Sequence, residues 1–190
     1  MEDKELIESF LAGDKAGFEG LVEKYKGMVF NVCFRMLADY NEALDVSQDI
    51  FLKIYETLRS FRGEAKFSTY LYTVTLNFCR NRLKALARRG KHIAFSLDDP
   101  LETEDGPVTR QAVDTGASPR DIADTKIKEE CLQKALSGLS EEQREIIILR
   151  DIEGREYAQI GEILRLDIGT VKSRLNRARF ALKEKLEGIL

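Results

Sequence analysis

Apolar residues recur every three or four positions through the first 88 residues, the spacing of one face of an α-helix. The pattern predicts four helices, at about residues 2–11, 15–37, 41–59 and 68–88. A loop with Gly63 near its centre separates the last two, and Ser68 is the expected N-cap of the fourth helix. Because no strand-like alternation with turn signals appears, the sequence predicts an all-α domain.

The third predicted helix carries both an apolar stripe and a polar face. The stripe should be buried, and it consists of Leu44, Phe51, Ile54, Tyr55 and Leu58. The polar face consists of Asp45, Gln48 and Asp49. Taken alone, such a face is most often simply solvated.

The helical pattern stops between residues 90 and 117. All 3 prolines of the chain lie between Pro100 and Pro119, among glycines, threonines and acids. This composition buries too little apolar surface to offset the entropy lost on ordering. It predicts a flexible acidic linker at 90–117 between two helical domains, at 1–89 and 118–190.

Helix signals resume at Ser118 and Pro119, an N-cap followed by proline at the first helical position. Ser140 and Gln143 form a capping box that starts a second helix through about residue 151. A short helix at 157–164 and a longer one at 167–186 follow. The second domain is therefore predicted to have four helices and to end in a helix-turn-helix.

Charge is distributed unevenly, although the net charge is only −3. Residues 80–91 contain six basic residues and no acid, and residues 170–185 contain six basic residues and one acid. Residues 98–124, in contrast, contain eight acids and two arginines. The distribution favours two DNA-facing surfaces that an acidic tether keeps apart.

Several functional classes find no support in the sequence. The 3 cysteines, Cys33, Cys79 and Cys131, have no disulfide or metal spacing and fit a reducing cytoplasm as buried apolar side chains. The N-terminus is too charged for a signal peptide, and no apolar run is long enough for a membrane span. No cofactor motif is present. We therefore expect a soluble cytoplasmic protein.

The last predicted helix has one apolar face and one basic face. Val171, Leu175, Ala178, Leu182 and Leu186 form the stripe that should face the core. Away from this stripe lie Ser173, Asn176 and Arg177, with Lys172 and Arg174 on its flanks. Such side chains match base edges and phosphates in a major groove, and Gly161 in the preceding helix should permit a close crossing near Val171.

The stretch SEEQREIIILRDIEGREYAQIGEILRLDIGTVKSRLNRAR resembles region 4 of the extracytoplasmic-function (ECF) sigma factors of bacterial RNA polymerase. The resemblance extends over about residues 10–88 and 120–186 and implies recognition of the promoter −35 element. On this basis Lys172, Ser173, Asn176 and Arg177 would face bases, while Arg174 and Arg179 would hold phosphates.

The first domain resembles region 2 of the same family. The stretch NEALDVSQDIFLKIYETLRSF is similar to the part that docks on the clamp of the largest polymerase subunit, which implies contacts by Asp45, Gln48, Asp49 and Phe51. The stretch FRGEAKFSTYLYTVTLNFCRNRLKAL resembles the parts that bind the −10 element. This implies DNA contacts by Asn77, Arg80, Asn81 and Lys84 on one helix face, and by Arg62 and Gly63 in a base-capturing loop.

One departure from the family concerns promoter melting. Many relatives carry tryptophan at Tyr70, and the paired aromatic wedge of housekeeping sigma factors would fall at Thr73 and Val74, which cannot stack. Melting should therefore depend on base capture in the loop. Phe67 and Phe78 are assigned to the core, and the linker acids are expected to mimic nucleic acid within the polymerase cleft.

The resemblance implies three partners: core RNA polymerase, through its clamp and through its flap for region 4; promoter DNA; and a cognate anti-sigma factor. Three other classes compete. An enzyme is disfavoured because the 1 histidine, His92, has no catalytic partner in view. An ordinary helix-turn-helix regulator leaves the first domain unexplained, and a purely helical interaction protein leaves both basic faces unexplained.

Overall fold

The computed structural model describes residues 2–61, 63, 65–88 and 119–189, with side chains from residue 127 onward in the last stretch. These residues form eight α-helices and no strand: α1 (Asp3–Leu11), α2 (Lys15–Leu37), α3 (Tyr40–Thr57), α4 (Phe67–Arg88), α5 (Pro119–Ser137), α6 (Glu141–Ile147), α7 (Tyr157–Leu164) and α8 (Ile168–Glu187). A 3₁₀ turn, Leu58–Ser60, extends α3, and a π-helical turn, Ile148–Ile152, extends α6. The all-α prediction with four helices on each side of the linker is confirmed. The predicted linker lies outside the described residues, as do Arg62, His92 and Ser118.

Side-chain caps set several helix starts. Asp14 accepts a hydrogen bond from the Ala16 amide at 3.0 Å, and Asp39 accepts one from the Glu42 amide at 2.8 Å. Ser140 and Gln143 form the predicted capping box, in which each side chain bonds to the other residue's amide. These bonds satisfy amides that have no partner within the first helical turn. Ser68, in contrast, is not an N-cap, because α4 already begins at Phe67.

The prediction of which α3 residues are buried was partly wrong. Leu44 is 40% exposed and Tyr55 is 43% exposed, whereas Ile54 and Leu58 are buried as expected. The other residues that α3 buries are smaller on average than the predicted ones: Ala43, Val46, Ser47 and Ile50. Since these residues also recur at intervals of three and four, two stripes with helical spacing compete on one helix, and the less bulky one faces the core.

Two expectations about the C-terminal helices also need correction. Leu182 and Leu186 are half-buried, so the fully buried stripe of α8 ends at Ala178. Gly161 does allow a close approach, but a Cβ there would lie 2.7 Å from the Leu166 carbonyl oxygen in the turn after α7. Gly161 is therefore required by the turn between the helices.

The two helical units contact each other directly. Helix α2 packs against α5 and α6, and α4 packs against α7. The tertiary contact differs from the expectation that an acidic tether keeps the units apart. Polar groups of both units are paired across this boundary.

None of the described helices is long and apolar enough to cross a membrane. Of the three cysteines, Cys33 and Cys79 are buried with their Sγ atoms 3.7 Å apart, whereas Cys131 is only half-buried. The hydrogen bond with Cys33 and, after it, burial raise the pKa of the Cys79 thiol. The prediction of buried cysteines is thus confirmed at two of the three positions.

Candidate nucleic-acid and polymerase interfaces

Helices α7 and α8 form a helix-turn-helix with a three-residue turn. Arg165 ends α7 in the left-handed conformation at φ +56°, and the Leu166 amide donates to the Gly161 carbonyl at 2.9 Å. Asp167 then caps α8, accepting from the Thr170 amide at 2.9 Å and from the Thr170 hydroxyl. These bonds hold the pKa of Asp167 below its usual value. The cap fixes where α8 starts, and hence which side chains its first turns present.

The outer face of α8 is polar and exposed. Val171, Leu175 and Ala178 are buried, whereas Lys172, Ser173, Asn176 and Arg177 are all exposed as predicted. The Ser173 hydroxyl donates to the Thr170 carbonyl, and the Arg177 Nε lies 3.4 Å from the Ser173 carbonyl oxygen. The face therefore combines two cations with one amide and one hydroxyl, the groups that bind phosphates and base edges.

The other two arginines predicted on this helix are held in ion pairs. The Arg174 guanidinium lies 3.0 Å from the Glu142 carboxylate of α6. Arg179 donates two hydrogen bonds to Asp151, at 3.0 Å and 2.5 Å, and this pairing raises the pKa of Arg179. Neither arginine is one of the four outer-face residues Lys172, Ser173, Asn176 and Arg177, and part of each guanidinium is engaged by a carboxylate.

Phe180 is an exposed aromatic residue that was not among the predicted site residues. Its side chain is 65% exposed on the outer side of α8, one helical turn beyond Asn176. A helical projection would have found it, because Phe180 lies far from the buried stripe at 100° per residue.

Helix α4 carries the predicted polar face. Asn77, Asn81 and Lys84 are exposed, whereas the Arg80 side chain is only 33% exposed. Arg80 donates from Nε and Nη2 to the two carboxylate oxygens of Glu145 in α6, at 2.5 Å and 2.6 Å. Its Nη1 donates to the Asn77 side chain at 3.0 Å. The bond to Glu145 raises the pKa of Arg80, so this cation is occupied by a carboxylate from the second unit.

A groove of about 880 Å³ lies beside the start of α4. Its lining includes Phe61, Gly63 and Tyr70 from the first unit, and Gln159, Glu162 and Arg165 from the second. Gly63 has φ +70° with open space around it, and the Phe61 and Tyr70 rings lie 5.2 Å apart. The Phe61 and Tyr70 rings on the wall from the first unit are suited to stacking a base. Phe67 is buried and Phe78 half-buried against the core, as the sequence predicted.

Helix α3 presents an exposed face that is both acidic and apolar. Asp45, Gln48 and Asp49 are exposed, and Phe51 is half-buried. Between them lies Leu52, which is 64% exposed and was not among the predicted contact residues. Asp45 lies 3.5 Å from Arg82 of α4, which also binds Glu42. Gln48, Asp49 and Leu52 thus form one exposed surface that offers both polar and apolar side chains.

No cluster of three or more histidines, cysteines or acids suited to a metal occurs within the described ranges. The candidate interfaces are therefore built from cations, amides, aromatic rings and exposed acids.

Comparison with known proteins decides the family. The sigma-70 region 2 profile matches residues 21–89, and the sigma-70 region 4 profile matches residues 129–182. The ECF RNA polymerase sigma factor SigW of Bacillus subtilis is 32% identical over 98% of this chain and 97% of its own length. The chain belongs to the ECF sigma factors.

Other relatives agree over the same length. The RNA polymerase sigma-H factor of Pseudomonas aeruginosa is 32% identical over 100% of this chain and 96% of its own. A Bartonella quintana structure of the sigma factor RpoE in complex with the anti-sigma factor NepR has the same fold, with a TM-score of 0.64 at 22% identity. It covers 90% of this chain and 96% of that one.

As a sigma factor, the chain binds core RNA polymerase and directs promoter-specific initiation by recognising −35 and −10 elements and assisting melting. The helix-turn-helix of α7 and α8 falls in region 4, and the polar faces of α3 and α4 fall in region 2. This excludes an ordinary helix-turn-helix regulator, which would lack region 2.

Proposed function

We propose that three helix faces divide the work of this sigma factor: α8 reads the −35 element, α4 with its preceding loop binds the −10 strand, and α3 docks on the polymerase clamp. The observation that carries the proposal is the exposed α8 face, because Lys172, Ser173, Asn176 and Arg177 share one side of a capped recognition helix. The domain limits 1–89 and 118–190, with the linker at 90–117, belong to the same proposal.

Lys172→Ala and Arg177→Ala should each weaken holoenzyme binding to a −35 fragment by roughly 1–3 kcal/mol, because each removes a base contact. Competition binding against fragments mutated at single −35 positions measures the loss. Lys183→Ala removes the same charge further along α8, about 16 Å from Lys172 and about 9 Å from Arg177, and serves as the matched control. An equal loss on every DNA sequence would mean that Lys172 and Arg177 contact phosphate only.

The exposed pair Asn81 and Lys84 allows the two kinds of −10 contact to be separated. Lys84→Ala should weaken binding to all −10 strands alike and lower the salt slope by about 0.7, because it removes one phosphate contact. Asn81→Ala should instead change the base preference. Lys26→Ala, which removes an exposed lysine from α2, is the control. An unchanged salt slope in Lys84→Ala would contradict the phosphate contact.

Arg62 and Gly63 are proposed to capture a flipped base beside the groove that Phe61 and Tyr70 line. A positive φ at Gly63 gives the loop a turn that other residues adopt only with strain. Because Thr73 and Val74 cannot stack on a melted duplex edge, this pocket would carry the melting step. Arg80 is proposed as a further −10 contact that becomes available when Glu145 leaves it.

The docking face is proposed to consist of Asp45, Gln48, Asp49 and Phe51, with Leu52 added from the structure. For region 4, the polymerase flap is the proposed second contact. Sigma factors are known as non-enzymatic initiation factors, and we propose the same for this chain, which would act in the cytoplasm beside RNA polymerase. The linker acids would mimic nucleic acid against the polymerase cleft.

An anti-sigma factor is proposed as a regulatory partner. The support is the shared fold with a sigma factor whose structure contains the anti-sigma factor NepR. Exposed apolar side chains of α3 and α8, Leu52 and Phe180, offer surface for such a protein.

The proposal is tested by transcription from a mixture of core polymerase and the purified chain. Promoter-specific transcripts should depend on Lys172 and Arg177 at the −35 element and on Asn81 at the −10 element. Normal transcription by the triple alanine variant would overturn the residue assignment.

A further inference from the structure

Region 4 is anchored on the C-terminal end of α2. The last turn of a helix leaves carbonyl groups without partners in the helix. Gln133 of α5 donates to the Phe34 and Arg35 carbonyls at 3.3 Å and 3.4 Å. Arg144 of α6 donates to the Met36 carbonyl. Gln133 is 1% exposed and Arg144 is 7% exposed, so region 4 buries polar groups whose partners lie in region 2.

A second set of contacts places region 4 on α4. Besides the pair between Arg80 and Glu145, the Tyr72 hydroxyl donates to the Glu153 carboxylate at 2.6 Å. The Arg155 guanidinium lies 5.2 Å from the centre of the Tyr72 ring. Glu145 lies in α6, and Glu153 and Arg155 follow the π-helical turn that extends it. All three contact α4, which also packs against α7.

The part of α4 that region 4 covers overlaps the proposed −10 surface. Glu145 places two carboxylate oxygens on the Nε and Nη2 of Arg80, the fork with which arginine grips a phosphate. The groove at the base-capturing loop is closed on one side by Gln159, Glu162 and Arg165 of region 4. A DNA strand therefore cannot reach Arg80 until Glu145 leaves.

We propose that the free sigma factor rests in this closed form, in which Glu145 of region 4 occupies Arg80 and blocks binding of the −10 strand. The proposal rests on the proposed function of Arg80 and α4. The exposed docking residues of α3 stay accessible in the closed form, so core polymerase can bind first and opening can follow. Only the open fraction binds the −10 strand, so the apparent affinity equals the intrinsic affinity multiplied by that fraction.

Glu145→Gln removes the charge that pairs with Arg80 and changes the side-chain volume little, so it tests whether this contact blocks DNA binding. Fluorescence anisotropy of the full chain with a labelled single strand, carrying the −10 element of a promoter that the holoenzyme transcribes, should show roughly tenfold tighter binding, within the usual range of coupling between sites. Glu153→Gln, which weakens the Tyr72 contact, should act in the same direction. Glu142→Gln removes an exposed acid of α6 that pairs with Arg174 and should leave the affinity unchanged.

A second measurement separates this proposal from the proposed function. Arg80→Ala is assayed for −10-dependent transcription in the holoenzyme. In the holoenzyme Glu145 should no longer pair with Arg80. If Arg80→Ala lowers transcription but both Glu145→Gln and Glu153→Gln bind the free strand no more tightly than the original chain, the closed form is not inhibitory and the −10 assignment stands. If Arg80→Ala leaves transcription unchanged, Arg80 does not contact the −10 strand. The proposal that Glu145 blocks this contact is then wrong as well.

Discussion

Asp49→Lys should abolish stable binding of the sigma factor to core RNA polymerase while leaving its fold unchanged. Asp49 is exposed on α3 beside Gln48 and Leu52, so the substitution buries nothing and breaks no core contact. Placing a cation in the acidic face that is proposed to dock on the polymerase clamp should cost about 2–5 kcal/mol of binding free energy, or roughly 30-fold or more in affinity. Titration of labelled core polymerase with each variant measures the loss.

Glu19→Lys makes the same charge change on α2 and is the matched control, because Glu19 is also exposed. Leu52→Asp should weaken core binding as well, since it removes a 64% exposed apolar side chain from the middle of the same surface. Equal binding by Asp49→Lys and the original chain would show that α3 does not dock on the polymerase. An equal loss in Glu19→Lys would point to long-range charge instead.

Arg144→Met should lower the free energy of unfolding by roughly 3 kcal/mol or more, because it removes several buried hydrogen bonds to carbonyl groups. Arg144 Nε donates to the Leu136 carbonyl at 2.9 Å, and Nη2 donates to the Ser137 and Leu139 carbonyls at 2.9 Å and 3.2 Å. Burial lowers the pKa of this guanidinium. Urea unfolding followed by circular dichroism gives the free energy.

Arg174→Met removes an arginine of the same unit that is 35% exposed and bonded to one carboxylate. It should change the free energy of unfolding by no more than about 1 kcal/mol, as is usual for surface ion pairs. If the two variants lose equal stability, the buried hydrogen bonds of Arg144 do not hold the end of α5 to α6.

Much of the fold follows from local signals. The bounds of α2 and α7 agree with the prediction because their ends are marked by local polar and turn residues, such as Asp14 before Lys15. The outer face of α8 could be predicted because its buried residues, Val171, Leu175 and Ala178, leave only one side open. In α3, two apolar stripes with the same spacing compete, and periodicity cannot tell which one faces the core.

The contact between the two regions could not be predicted from local pattern. Glu145 lies next to the apolar run Ile146–Leu149, and nothing in that run indicates an ion pair with Arg80, 65 residues earlier. Gln133 and Arg144 likewise donate hydrogen bonds to backbone carbonyl groups at the end of α2. Because every helix ends in such carbonyl groups, the sequence of α2 does not indicate these contacts. The resemblance to sigma factors supplies candidate roles for α3, α4 and α8, but it does not specify how region 4 packs on region 2.

Transcription in vitro shows whether this chain gives RNA polymerase its choice of promoter. Core RNA polymerase is mixed with the purified chain on a library of genomic fragments, and the transcript starts are mapped with the original chain and with Asp49→Lys. We expect starts downstream of shared −35 and −10 sequences that appear only with the original chain. Starts that are the same without the chain, or that share no promoter sequence, would contradict it.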